Sequence, residues 1–226
     1  MPHNYSYASV PHHSLSNAER LKEINNEFEK GFALLETVSK GVTFWGSSRT
    51  KDGEHPYNQA RELASALTKL GHTIVTGGGP GIMEAANRGA LEAGGRSVAF
   101  EIQIQSEQTN PYITDSVSFY YFFVRKVMLA SSGQAYVYFP GGFGTLDEFF
   151  EISTLIATHK LHQDVPVVLV GKDYWEPLMR WLRNTVVEKF HAFEPEEFAM
   201  WRIVDTPKEA LDIVERCSGR MGVCNY

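Results

Sequence analysis

The stretch Ala135-Tyr136-Val137-Tyr138-Phe139-Pro140-Gly141-Gly142-Phe143-Gly144-Thr145-Leu146-Asp147-Glu148 carries three local signals in succession. The run from Ala135 to Phe139 is apolar throughout, as expected of a strand buried on both faces. Gly141, Gly142 and Gly144 then let the chain turn tightly and bring its backbone close to a ligand. From Thr145 the spacing predicts a helix over 145–158, whose N-terminus offers free N–H groups and a positive partial charge. Strand, glycine turn and helix in that order form the building unit of a parallel α/β sheet.

The same unit recurs outward along the chain. Apolar runs at 41–44, 72–76, 97–102 and 165–170, with extended stretches at 117–120 and near 203–204, read as further strands. Helical spacing occupies the intervals 56–70, 82–93, 122–131, 174–190 and 207–216. A first helix starts at Ser16, which with Glu19 makes a capping box. The expected fold is therefore a single doubly wound, Rossmann-like α/β domain with a mostly parallel sheet. It is expected to span 16–217, between a flexible arm at 1–15 and a tail at 218–226.

Composition narrows the possible partners. A formal charge of −6 argues against broad nucleic-acid binding, which needs a basic face. No apolar run approaches the roughly 18–20 residues of a membrane span, and the N-terminus lacks the pattern of a signal peptide. A cytoplasmic protein is expected. Cys217 and Cys224, close together near the C-terminus, cannot frame a disulfide-rich fold.

In such sheets, ligands bind beyond the carboxyl ends of the strands, where strand order reverses. Three strands here end in small or glycine-rich turns, at Gly46-Ser47-Ser48, Thr76-Gly77-Gly78-Gly79-Pro80-Gly81 and Pro140 to Thr145. Glycine loops feeding helix N-termini suit a phosphorylated ligand. Ser47, Gly79, Gly141, Gly142, Phe143, Gly144 and Thr145 are the candidate contacts. A dinucleotide fingerprint fits poorly, because its third glycine falls on Ile82. Glu148 lies close to the third loop, although a helix-terminal acid is commonly structural, and Asp147 or Glu151 would serve that purpose equally. Arg125-Lys126 interrupts the apolar helix Phe122 to Leu129, a setting that favours an anionic partner over solvent.

Arg125-Lys126 followed by Pro140-Gly-Gly-Phe-Gly-Thr-Leu-Asp-Glu148 resembles the Lonely Guy family of cytokinin-activating phosphoribohydrolases, often misnamed lysine decarboxylases. The resemblance covers roughly residues 41–190. It implies a Rossmann-like homo-oligomer that splits purine or cytokinin nucleoside 5′-monophosphates, AMP included, into free base and ribose 5-phosphate. It also implies catalysis by Arg125 and Glu148 and ligand contacts from Lys126, Gly142 to Thr145 and Thr154. An acid contacting the base falls on Glu107. Phe122-Phe123 and the polar, aromatic stretch 103–118 depart from plant-type members and resemble a longer bacterial branch. No metal or organic cofactor is expected.

Two rival readings remain at this level. A non-catalytic nucleotide or cofactor carrier would keep the phosphate loops without the chemistry. A lysine decarboxylase would need a Schiff-base lysine for pyridoxal phosphate, and no lysine stands convincingly beside a phosphate loop.

Overall fold

The computed structural model describes residues 15–104 and 108–218. The expected arm up to residue 14, the tail from residue 219 and Glu107 lie outside the described residues. The first helix, α1 (Asn17–Leu35), opens with the expected capping box: the Ser16 hydroxyl accepts from the Glu19 amide, and the Glu19 carboxylate accepts from the Ser16 amide. The Ser16 hydroxyl also donates to the Glu19 carboxylate, and this bond, with the one from the Ser16 amide, holds the Glu19 carboxyl below its ordinary range.

Among the described residues seven strands alternate with helices, except that the third and fourth strands follow each other without one. β1 (Gly41–Trp45) leads to α2 (His55–Lys69), β2 (Thr73–Thr76), α3 (Ile82–Glu92), β3 (Ser97–Ile102) and β4 (Asp115–Phe119). Then come α4 (Phe122–Ser132), β5 (Ala135–Tyr138), α5 (Phe143–Ala157), β6 (Val167–Val170), α6 (Lys172–Trp181), β7 (Trp201–Val204) and α7 (Pro207–Ser218). The strands lie in the order β4-β3-β2-β1-β5-β6-β7, and every neighbouring pair is parallel. The expected helix over 174–190 instead passes from α6 into a π-helical turn, Leu182–Val187.

Alternation along the strands fills two cores. On β5, Tyr136 and Tyr138 face one side of the sheet, with Trp45, Phe149 and Trp175, beneath α1, α4, α5 and α6. Val137 and Phe139 face the other, with Val42, Phe44, Leu63 and Ala86, beneath α2, α3 and α7. A strand sandwiched this way must be apolar at every position, which is why its sequence shows no polar alternation. Among the described residues, no helix is long and apolar enough to cross a membrane.

The strand order reverses between β1 and β5. Chain connections leave these two strands in opposite directions, so their carboxyl ends open a crevice that no connection fills.

Candidate active site

At that reversal point the loops after β1, β2 and β5 are stitched together through their backbones. Phe139 N donates to Trp45 O at 2.8 Å, Ser47 N to Pro140 O at 3.0 Å and Ile82 N to Ser47 O at 3.1 Å. A crevice of about 790 Å³ opens above them. Its floor and one wall come from Gly46 to Thr50 and from the Pro140 to Thr145 loop. Met83, Ile102, Ile104 and Phe122 add apolar surface to its lining. Such a volume and this division between backbone donors and apolar surface suit a small phosphorylated molecule.

The glycine loop merges into α5 earlier than the sequence suggests. The helix begins at Phe143 rather than Thr145, with Gly142 as an extended N-cap that lacks a side-chain cap. The amides of 143–145 are therefore those of the first helical turn, which have no partner within the helix. Phe143 itself stands 94% exposed at the mouth of the crevice. At Gly141 a Cβ would collide with the Thr145 hydroxyl, so only glycine leaves that side chain room to fold under the loop. The Tyr174 hydroxyl, from α6, fastens the loop through the Gly141 carbonyl.

The earlier start also moves Glu148 from the first helical turn to the second. It is only 7% exposed, and its Oε2 has no hydrogen-bond partner. The Tyr138 phenol donates to the Glu148 backbone carbonyl at 3.1 Å and fixes this part of the helix against β5. Burial raises the Glu148 carboxyl to about 7, against the opposing pull of Arg125 and Lys126 and with a further push from Glu151 and Asp147. Desolvation thus outweighs the pull of Arg125 on this carboxyl.

Arg125, one turn into α4, reaches the same crevice. Its guanidinium lies against Gly77, where a Cβ would strike Nη2, so the second glycine loop leaves a space for a cation. That loop is itself held from behind. Thr76 Oγ1 donates to Asn87 Oδ1, and Asn110 Nδ2 reaches the carbonyls of Gly78 and Gly79 and Asn87 Oδ1, all at 2.7–3.0 Å.

The structure thus brings Ser47, Arg125, Gly141, Gly142, Phe143, Gly144, Thr145 and Glu148 to one crevice. Gly79 is buried behind it, engaged by Asn110. Lys126 points away, because residues adjacent on a helix diverge by about 100°. Its ammonium is held by Asp147 at 2.8 Å and Glu151 at 2.7 Å. Burial would lower its pKa, but these two carboxylates raise it. Thr154 bonds the Phe150 carbonyl on the exposed side of α5, facing a separate shallow groove with Phe193 and Trp201. Sequence reasoning missed Trp45, which abuts the Gly46-Ser47-Ser48 turn, and Ile104 and Tyr174, which come from separate segments without a local motif. Arg49 and Thr50 could have been found, since they directly continue the Ser47-Ser48 turn.

These features define a Rossmann-like protein with a glycine-loop crevice at the sheet's switch point. A family model described as possible lysine decarboxylase matches residues 83–214. The chain is 30% identical to a probable cytokinin riboside 5′-monophosphate phosphoribohydrolase of Oryza sativa subsp. japonica, over 84% of this chain and 76% of that protein. It is 28% identical to the cytokinin riboside 5′-monophosphate phosphoribohydrolase of Mycobacterium tuberculosis, over 67% and 81% respectively. The chain belongs to this phosphoribohydrolase family, the Lonely Guy family. Among solved structures, the molybdenum cofactor carrier protein of Chlamydomonas reinhardtii shares the fold, with a TM-score of 0.59 at 18% identity over 80% of this chain and 100% of that one.

Proposed function

We propose that this protein hydrolyses the N-glycosidic bond of purine nucleoside 5′-monophosphates, releasing free base and ribose 5-phosphate. The observation that carries this reading is the buried Glu148 carboxyl, pushed up to about 7 by burial, in the same crevice as the first-turn amides of α5, which have no partner within the helix. In the proposed mechanism the 5′-phosphate rests on the amides of 143–145 and on the positive end of α5. Cleavage builds positive charge on the ribose, and ionised Glu148 stabilises it while orienting the attacking water. Arg125 balances the phosphate and Glu148 charges. The apolar surface of Met83, Ile102, Ile104 and Phe122 receives the base.

The experiment is direct. Purified protein is incubated with AMP, an isopentenyl-adenine nucleotide and other nucleoside monophosphates, and free base and ribose 5-phosphate are quantified. Release of both in equal amounts supports the reading. Tight binding without base release would instead support the second reading, a carrier, which the fold shared with a molybdenum cofactor carrier keeps in play.

The proposed active species is a homo-oligomer in the cytoplasm. The exposed apolar side chains Phe123 and Val127 on α4 and Phe150 on α5 support an interface through these helices.

A further inference from the structure

Helix α1 precedes all the glycine loops, yet it holds the helix that carries Arg125. The two amides at the start of α4, Tyr120 N and Tyr121 N, donate to Glu27 Oε1 and Oε2 at 2.7 and 3.2 Å. Tyr121 is the N-cap of α4 and supplies no side-chain cap of its own. A carboxylate from another helix thus does the capping and also sits at the positive end of the α4 dipole. One turn further along α1, Gly31 is buried directly against Met128 Sδ of α4. Ile24, Phe28, Leu34 and Leu35 of α1 pack into the same core. Glu27 and Gly31 are four residues apart and share one helix face, so α1 grips α4 at its end and at its middle.

We infer that Glu27 is a positioning residue, which fixes the axial placement of α4 and thereby holds Arg125 against Gly77 and beside Glu148. This rests on the proposed hydrolysis for its kinetic consequence but not for its structural one. The groups facing Glu148 are Arg125 and Lys126 from α4, Asp147 and Glu151 from α5 and the Tyr138 phenol from β5. Only the first two favour its ionised form, and both ride on the helix that Glu27 caps. Releasing α4 weakens that pull, and the Glu148 midpoint then rises above its wild-type value.

The test compares wild type with Glu27→Ala, Glu27→Gln and, as a control on the exposed face of α1, Glu29→Ala. Two readouts are taken from the full chain: the Glu148 titration followed by carboxyl carbon NMR, and steady-state kinetics on AMP. Glu27→Ala is expected to raise the Glu148 midpoint and to lower kcat by roughly ten- to a hundredfold, with KM little changed, as misplacement of a positioned group does. Glu27→Gln keeps an acceptor oxygen and should fall between Ala and wild type, while Glu29→Ala matches wild type. If Glu27→Ala does not fold, the Gln variant alone decides. A folded variant at position 27 with an unchanged Glu148 midpoint overturns the inference. If no nucleotide is hydrolysed even by wild type, the proposed function fails, and the titration still decides the role of Glu27.

Discussion

The Tyr174 hydroxyl donates a 2.8 Å hydrogen bond to the Gly141 carbonyl, and so ties α6 to the loop that opens α5. Gly141 is the point at which the chain leaves β5 for the crevice. The bond sets the loop's inclination and therefore the direction of the amides that follow. Tyr174→Phe removes the hydroxyl and keeps the ring. It should raise KM for a nucleoside monophosphate severalfold while costing about 1 kcal/mol of stability, the usual net worth of one hydrogen bond. Kinetics and a denaturant titration on the same variant check both numbers. An unchanged KM would mean that the loop holds its shape without Tyr174.

Glu148→Gln keeps the size of the side chain and removes its charge and its proton chemistry. Nucleotide binding is expected to survive, while base release falls by roughly two or more orders of magnitude. Calorimetry with AMP and a base-release assay separate the two effects. Loss of binding with turnover per bound complex unchanged would move Glu148 from chemistry to recognition.

Because burial lifts the Glu148 carboxyl to about 7, its ionised form accumulates only as pH rises through neutrality. In the free enzyme, kcat/KM should therefore climb with pH to a plateau, with a midpoint near 7. Stability has the opposite slope. Glu148 binds its proton more tightly in the folded protein than in the unfolded chain, where a glutamate carboxyl has its ordinary value of 4.5. The stability it contributes is complete below that value and is lost as pH rises through about 7. At pH 8, Glu148→Gln should be the more stable protein, by on the order of 2–3 kcal/mol, and the difference should disappear in mild acid. Denaturant unfolding at two pH values reads this directly.

Lys126 makes a contrasting prediction. Its ammonium is engaged by Asp147 and Glu151 and lies outside the crevice lining. Lys126→Gln should leave nucleotide affinity nearly unchanged but leave two carboxylates of α5 without their cation. The pH midpoint of kcat/KM then moves upward, since Lys126 favours ionised Glu148. A large loss of affinity with an unmoved midpoint would restore Lys126 to direct ligand contact.

The exposed apolar residues Val127 and Phe150 give the proposed oligomer its own test. Val127→Glu or Phe150→Glu should convert the assembly to monomers in light scattering after size exclusion. A wild-type monomer would remove the interface from consideration.

Much of the fold was legible because its determinants are local. Alternating short apolar runs and helical periodicity required a parallel sheet covered on both faces, and Ser16 with Glu19 marked a helix start without any tertiary help. The glycine loop and Glu148 were legible together, since they are neighbours in sequence and share the start of one helix. What lies between segments was not legible. Only the packed structure placed Tyr174 on Gly141, Glu27 on the α4 N-terminus and Lys126 between Asp147 and Glu151, because each contact joins elements whose separation in sequence carries no signal of their meeting. The Glu148 ionisation belongs to the same class: the sequence supplied a carboxylate and a nearby arginine, whereas desolvation, a property of the packed surroundings, decided which influence prevailed.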